Sequence, residues 1–261
     1  MERIKQALDR ARQERQSEQA VPGSNTVAAV ATDGGSIQTR IVNVDVSVLR
    51  ENRIMTAADR GPYIDAYKIL RTQLLQKFSD NKWNALAVTS TSPGEGKTLT
   101  AINLAVCIAM EVDYSVLLVE ANLLHPNMHE FFGLPRQKGL SEFMLDEAEL
   151  PELLIRPSNL EHVVVLPGGR PLPNSAEMLN SPRTRQLVEE LKNRYPKRII
   201  VFDLPPVLAT ADAVAFVPYV DAALLVIEDG RNSEQDLWQA VELLKRTEII
   251  GTVLNKVATS S

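Results

Sequence analysis

The chain is 261 residues long, 44% apolar, and carries a formal net charge of −5. The apolar share suffices for a buried core, and the acidic balance excludes a nucleic-acid surface as the main partner. No apolar run approaches the roughly 20 residues that span a bilayer, and residues 1–20 carry charges throughout, unlike a secretory signal, so a cytoplasmic protein with no transmembrane segment of its own is expected.

Along the chain, Ile4, Ala7, Leu8 and Ala11 share one face of a helix expected over residues 1–16, which either docks on a partner or stays solvated. Residues 20–40 are rich in Gly, Ser, Thr and Ala, show no periodicity, and read as a linker. Residues 41–49 alternate in part, giving either an edge strand or an extended docking segment. A helix is expected over 62–78. From Asn84 onward, strands are expected at 85–89, 115–120, 162–166, 198–203, 222–227 and 249–254. Helices fall between them at 99–110, 182–195 and 234–245, the last capped by Ser233. Cys107, the single cysteine, lies inside one of these helices and reads as a packing residue. Short apolar strands separated by helices imply parallel crossovers, hence an α/β fold with a doubly wound, mostly parallel sheet. Ligands of such sheets bind at the carboxyl ends of the strands.

One such end carries the chemistry. Thr91 to Thr98 reads T-S-P-G-E-G-K-T, directly after the apolar run Ala85-Leu86-Ala87-Val88. Gly94 and Gly96 allow a tight turn whose amides converge on an anion, and the following helix adds its N-terminal dipole. Lys97 reaches the outer phosphates of a nucleotide, and the Thr98 hydroxyl ligates Mg2+. Pro93, Gly94, Glu95, Gly96, Lys97, Thr98 and Leu99 are therefore the expected phosphate-binding set. The pattern G-x-x-x-x-G-K-[ST] begins with Gly, and Thr91 holds that position here. A second carboxyl-end signal is Asp203, which closes the apolar run Ile199-Ile200-Val201-Phe202 and suits Mg2+ or its waters.

A third segment follows the strand at 115–120 and reads Glu120-Ala121-Asn122-Leu123-Leu124-His125-Pro126-Asn127-Met128-His129. Together the three segments resemble the bacterial tyrosine kinases (BY-kinases) of capsule and exopolysaccharide loci, and more narrowly the exosortase-associated tyrosine autokinase group. The family's second motif typically reads D-A-D-L-R-R-P-x-x-H. Glu120 and Asn122 match its aspartates, Leu124 and His125 its arginines, and Pro126 and His129 are retained. Leu166-Pro167-Gly168-Gly169, Ala211-Asp212-Ala213 and the terminal Gly251-Thr252-Val253-Leu254-Asn255 resemble further family segments.

The resemblance implies a P-loop NTPase fold of the BY-kinase and partition-ATPase type, ATP and Mg2+ as cofactors, and protein-tyrosine phosphoryl transfer that regulates polysaccharide polymerisation and export. It assigns catalysis to Lys97, Glu120, Asn122 and Asp203, metal handling to Thr98, Glu120 and Asp203, and adenine contact to Asn255. Asp65, Lys68 and Arg71 match the family's E-x-x-R-x-x-R, which packs neighbouring subunits into a ring, so a homo-oligomer is implied. The implied partner is a membrane polysaccharide co-polymerase, or chain-length determinant protein, that recruits the chain to the inner face of the membrane. On this reading residues 1–60 are an N-terminal helix and a flexible or extended linker, and 61–261 are the kinase-like domain.

Two departures keep alternatives open. The amide of Asn122 cannot act as a general base, and no tyrosine follows Tyr219 where the family carries a C-terminal cluster. A catalytically degenerate ATP-dependent scaffold for the co-polymerase is one alternative. A partition-type ATPase is the other, although Ser92 holds the position where those proteins carry a second lysine.

Overall fold

The continuous apolar runs of the sequence become the centre of one sheet. In the computed structural model, which describes residues 39–194 and 197–257, the strands are β1 (Arg40–Val42), β2 (Ala85–Ser90), β3 (Ser115–Glu120), β4 (Ile155–Pro157), β5 (Val163–Leu166), β6 (Arg198–Asp203), β7 (Ala222–Glu228) and β8 (Glu248–Asn255). They lie in the order β1-β4-β5-β3-β6-β2-β7-β8. All pairs run parallel except β4 with β5. The helix expected over 1–16, nearly all of the linker and Tyr195 lie outside the described residues, which all belong to one unit, Gly34–Ser261.

Alternation along each strand divides the core in two. Leu86 and Val88 of β2 face one apolar layer, while Ala85 and Ala87 face the other. The helices of six or more residues are α1 (Val46–Glu51), α2 (Pro62–Asn81), α3 (Lys97–Ala109), α4 (Pro182–Arg194) and α5 (Glu234–Leu244). α2 and α3 supply the first layer through Leu74, Phe78, Ile102 and Ile108. α4 and α5 supply the second through Leu187, Leu191, Ala240 and Leu244. α3 is buried around nearly its whole circumference, because α2 covers the side that the sheet leaves open. Cys107 is fully buried within it.

Residues 41–49 divide between two structures. β1 is an edge strand, in register with β4 from Arg40 opposite Ile155. The next residues turn into α1 because the Asp45 carboxylate accepts the Ser47 N–H at 2.8 Å and caps the helix. Val44, Leu49, Ile54 and Met55 are buried in the same layer as α2 and α3, so the core begins upstream of residue 61. Asn103 on α3 fixes this segment: its Oδ1 accepts the Met55 N–H at 2.9 Å and its Nδ2 donates to the Arg53 carbonyl at 3.0 Å. At the other edge, β8 carries a bulge next to Ala223 and Leu224, and Lys77 of α2 donates to its Ile250 carbonyl at 3.1 Å.

Candidate active site

β2, wholly buried, delivers the glycine loop to the carboxyl edge of the sheet. Gly94 (φ 84°) and Gly96 (φ 95°) both use the left-handed backbone, and Gly96 is the residue from which α3 starts. A Cβ on Gly96 would lie 2.1 Å from the Asn255 amide nitrogen. That amide donates to the Glu95 carbonyl at 2.8 Å, so the end of β8 braces the loop from outside.

Thr91 departs from the loop consensus, and Glu95 accounts for it. The fully buried Glu95 carboxylate accepts the Thr91 N–H at 3.0 Å and the Thr91 hydroxyl at 2.7 Å. Asn232, from the turn between β7 and α5, donates to the same carboxylate at 2.6 Å. A buried carboxylate is tolerated only when donors surround it. Thr91 does not have a positive φ, so a glycine is not required there. Asn232 carries no motif that would reveal its role; only the turn residues Asp229-Gly230-Arg231-Asn232 mark the region.

Across the loop stands Asp203, fully buried at the end of β6. Lys97 Nζ lies 3.5 Å from Asp203 Oδ1 and donates to the Thr98 hydroxyl at 2.9 Å. The Thr98 hydroxyl donates to Asp203 Oδ2 at 2.8 Å. Burial raises the Asp203 pKa, and Lys97 and Thr98 oppose that rise. A hydroxyl and one carboxylate at the end of a phosphate loop form the hard-oxygen donor set that Mg2+ takes alongside nucleotide phosphates. Lys97, Thr98 and Asp203 are thus brought into direct contact.

Glu120 is the register partner of Asp203 on the adjacent strand. Its carboxylate accepts three backbone N–H groups, from Asn127 at 2.6 Å, Met128 at 2.7 Å and Gly168 at 2.8 Å. Burial pushes its pKa up to about 7 despite those hydrogen bonds. Asn122 is buried nearby and donates to the His125 carbonyl at 3.1 Å. Leu99 packs against the apolar layer of α2 and α3, while Pro93 is exposed on the loop.

The three charged residues of α2 form a separate group. Asp65 and Lys68 are exposed and 3.4 Å apart. Arg71 turns inward: it pairs with Glu111 at 2.7 Å and donates to the Cys107 carbonyl at 3.3 Å. Among the described residues, no helix is long and apolar enough to cross a membrane.

A glycine loop closed onto Lys97, Thr98 and Asp203 at the carboxyl edge of a parallel sheet defines a P-loop nucleotide-binding domain, and residues 84–255 match the AAA domain family. Over 211 residues the chain is 32% identical to tyrosine-protein kinase YwqD of Bacillus subtilis (strain 168), covering 80% of this chain and 87% of that protein. Among solved structures, the chimerical protein CapA2B2 superposes with a TM-score of 0.73 at 25% identity, covering 83% of this chain and 93% of that one. The kinase domain of Escherichia coli tyrosine kinase ETK gives a TM-score of 0.69 at 26% identity, with 84% and 92% covered. The chain belongs to the bacterial tyrosine kinase family, in agreement with its three motifs.

Proposed function

We propose that this protein binds ATP with Mg2+ and transfers the γ-phosphoryl group to protein tyrosine, in the control of capsule or exopolysaccharide polymerisation and export. The reading rests above all on the Lys97–Thr98–Asp203 contact at the foot of the glycine loop. In the transfer, the tyrosine oxygen bonds to the γ-phosphorus as the bond to ADP breaks, and the phenolic proton passes to solvent water. Such a step needs positioning and charge neutralisation more than covalent help from the protein. The amides of residues 94–98 cradle the phosphates, and Lys97 neutralises the outer ones. Thr98 and Asp203 hold Mg2+, which supplies further neutralisation when bound. Asn255 lies beside the loop, where it is suited to the nucleotide base. Asn122 orients the loop after β3 and cannot take the proton.

The family assignment leaves the scaffold and partition-ATPase alternatives unneeded. A separate membrane co-polymerase recruits the protein from the cytoplasm to the inner face of the membrane. Neighbouring subunits meet through the exposed Asp65 and Lys68, and Arg71 supports that face from within. The test is incubation with labelled ATP, Mg2+ and the partner's cytoplasmic tail. Phosphotyrosine is expected from the unaltered protein. Lys97→Ala removes the product and weakens ATP binding by about 2–3 kcal/mol, as for a lost charge-assisted contact. Unchanged ATP affinity in that variant sinks the site.

A further inference from the structure

We infer that Glu120 is a positioning residue that joins two loops of the active site, and not a ligand of Mg2+. The inference takes the metal position from the reading above but stands on contacts of its own. Glu120 ends β3 with 1% of its surface exposed. One carboxylate oxygen accepts from Asn127 and Met128, the first N–H groups of a short helix at Met128–Phe131, which have no partner within that helix. The other oxygen accepts from Gly168, 48 residues further along the chain. Three of the roughly four acceptor positions of a carboxylate are thereby occupied by neutral backbone donors. Turning the group toward a cation would strip three N–H groups of their acceptor at once.

Glycine at 168 is a second, independent sign of this role. Its φ is not positive, so backbone freedom does not explain it. Space does: a Cβ there would lie 2.9 Å from Glu120 Oε2 and 2.7 Å from Pro126 Cβ. The turn at 167–170 is gripped from its other side as well. Glu142 accepts from Gly139 at 2.7 Å and from Arg170 at 3.3 Å, and the Ser141 hydroxyl donates to the Gly168 carbonyl at 2.7 Å. Glu120 therefore couples this turn to the loop after β3, the wall of the site two strands away from the phosphate loop. Aspartate, the family's usual residue, is one C–C bond shorter, about 1.5 Å, and would fall short of these amides.

Hydrogen–deuterium exchange tests the assignment in the unaltered protein. With saturating ATP and Mg2+, the amides of Asn127, Met128 and Gly168 should keep or gain protection. Faster exchange at all three on adding Mg2+ would mean that the carboxylate has moved to the metal, and overturns the inference. In nucleotide-free E120Q, which keeps a single acceptor oxygen, exchange should rise at least tenfold in one of the two segments. Unchanged exchange there also overturns it. In E120Q the Mg2+ concentration for half-maximal binding of a fluorescent ATP analogue should stay within twofold, and a tenfold rise contradicts the inference. E120D should loosen the same segments even though it restores the family's residue. Failure of the unaltered protein to bind the analogue would defeat the nucleotide reading, while the nucleotide-free exchange still decides the role of Glu120.

Discussion

Two buried glutamates hold loops at the carboxyl edge of the sheet, and they reach over very different distances. Glu95 closes its own loop, accepting from Thr91 four residues earlier, with Asn232 added from outside. Glu120 spans three segments and accepts only backbone N–H groups. The first arrangement closes the phosphate loop largely through its own residues, with Asn232 and Asn255 bracing it from outside. The second makes the opposite wall depend on the tertiary fold. The contrast explains why the loop accommodates Thr91 at its first position, and it predicts that the second motif is sensitive to the length of the Glu120 side chain.

The largest stability effect expected from this contrast comes from Glu95→Ala. It leaves the Thr91 N–H and the Thr91 hydroxyl without their carboxylate acceptor, at a cost of about 2–4 kcal/mol for two buried donors. Thermal unfolding should show the loss, and a drop under 1 kcal/mol would break the picture of a loop closed by its own carboxylate. A smaller, pH-dependent effect belongs to Glu120. Its pKa is raised from 4.5 to about 7 in the folded chain, so between those values the folded state holds the proton more tightly than the unfolded chain does. Its contribution is therefore greatest below about pH 4.5 and falls as pH rises toward 7, by up to about 3 kcal/mol. Unfolding free energies from pH 4.5 to 7.5 should fall less steeply in E120Q than in the unaltered protein, the remaining slope including that of buried Asp203; equal slopes in both proteins would refute it. The smallest effect is expected at the exposed pair on α2. Lys68→Ala should shift monomer stability by no more than about 0.5 kcal/mol. If neighbouring subunits meet there, light scattering should still detect a loss of assembly.

Much of the sheet is legible in the sequence because β2, β3, β6 and β7 are covered on both faces and read as unbroken apolar runs. β4 escapes notice because three residues carry too little pattern, while β1 is visible only as the edge strand or docking segment expected over 41–49; the place of both is set by pairing with distant partners. The phosphate loop, Lys97, Thr98 and Asp203 are legible because strand, turn and helix follow one another directly. Glu120 is visible as a matching position, but its acceptor role is not, since Gly168 comes beside it only through the pairing of β3 with β5. Asn232 and Asn103 are ordinary residues in sequence. Their importance comes from which backbone atoms the fold carries within their reach.

The guard on β8 bears on how copies of this protein can meet. A parallel sheet with a bare outer strand invites a neighbouring chain to continue it, and the outcome is open-ended growth rather than a counted ring. Here the Ile250 carbonyl is already occupied by Lys77, and the bulge beside it throws the ladder out of step. This edge is thereby blunted against such growth.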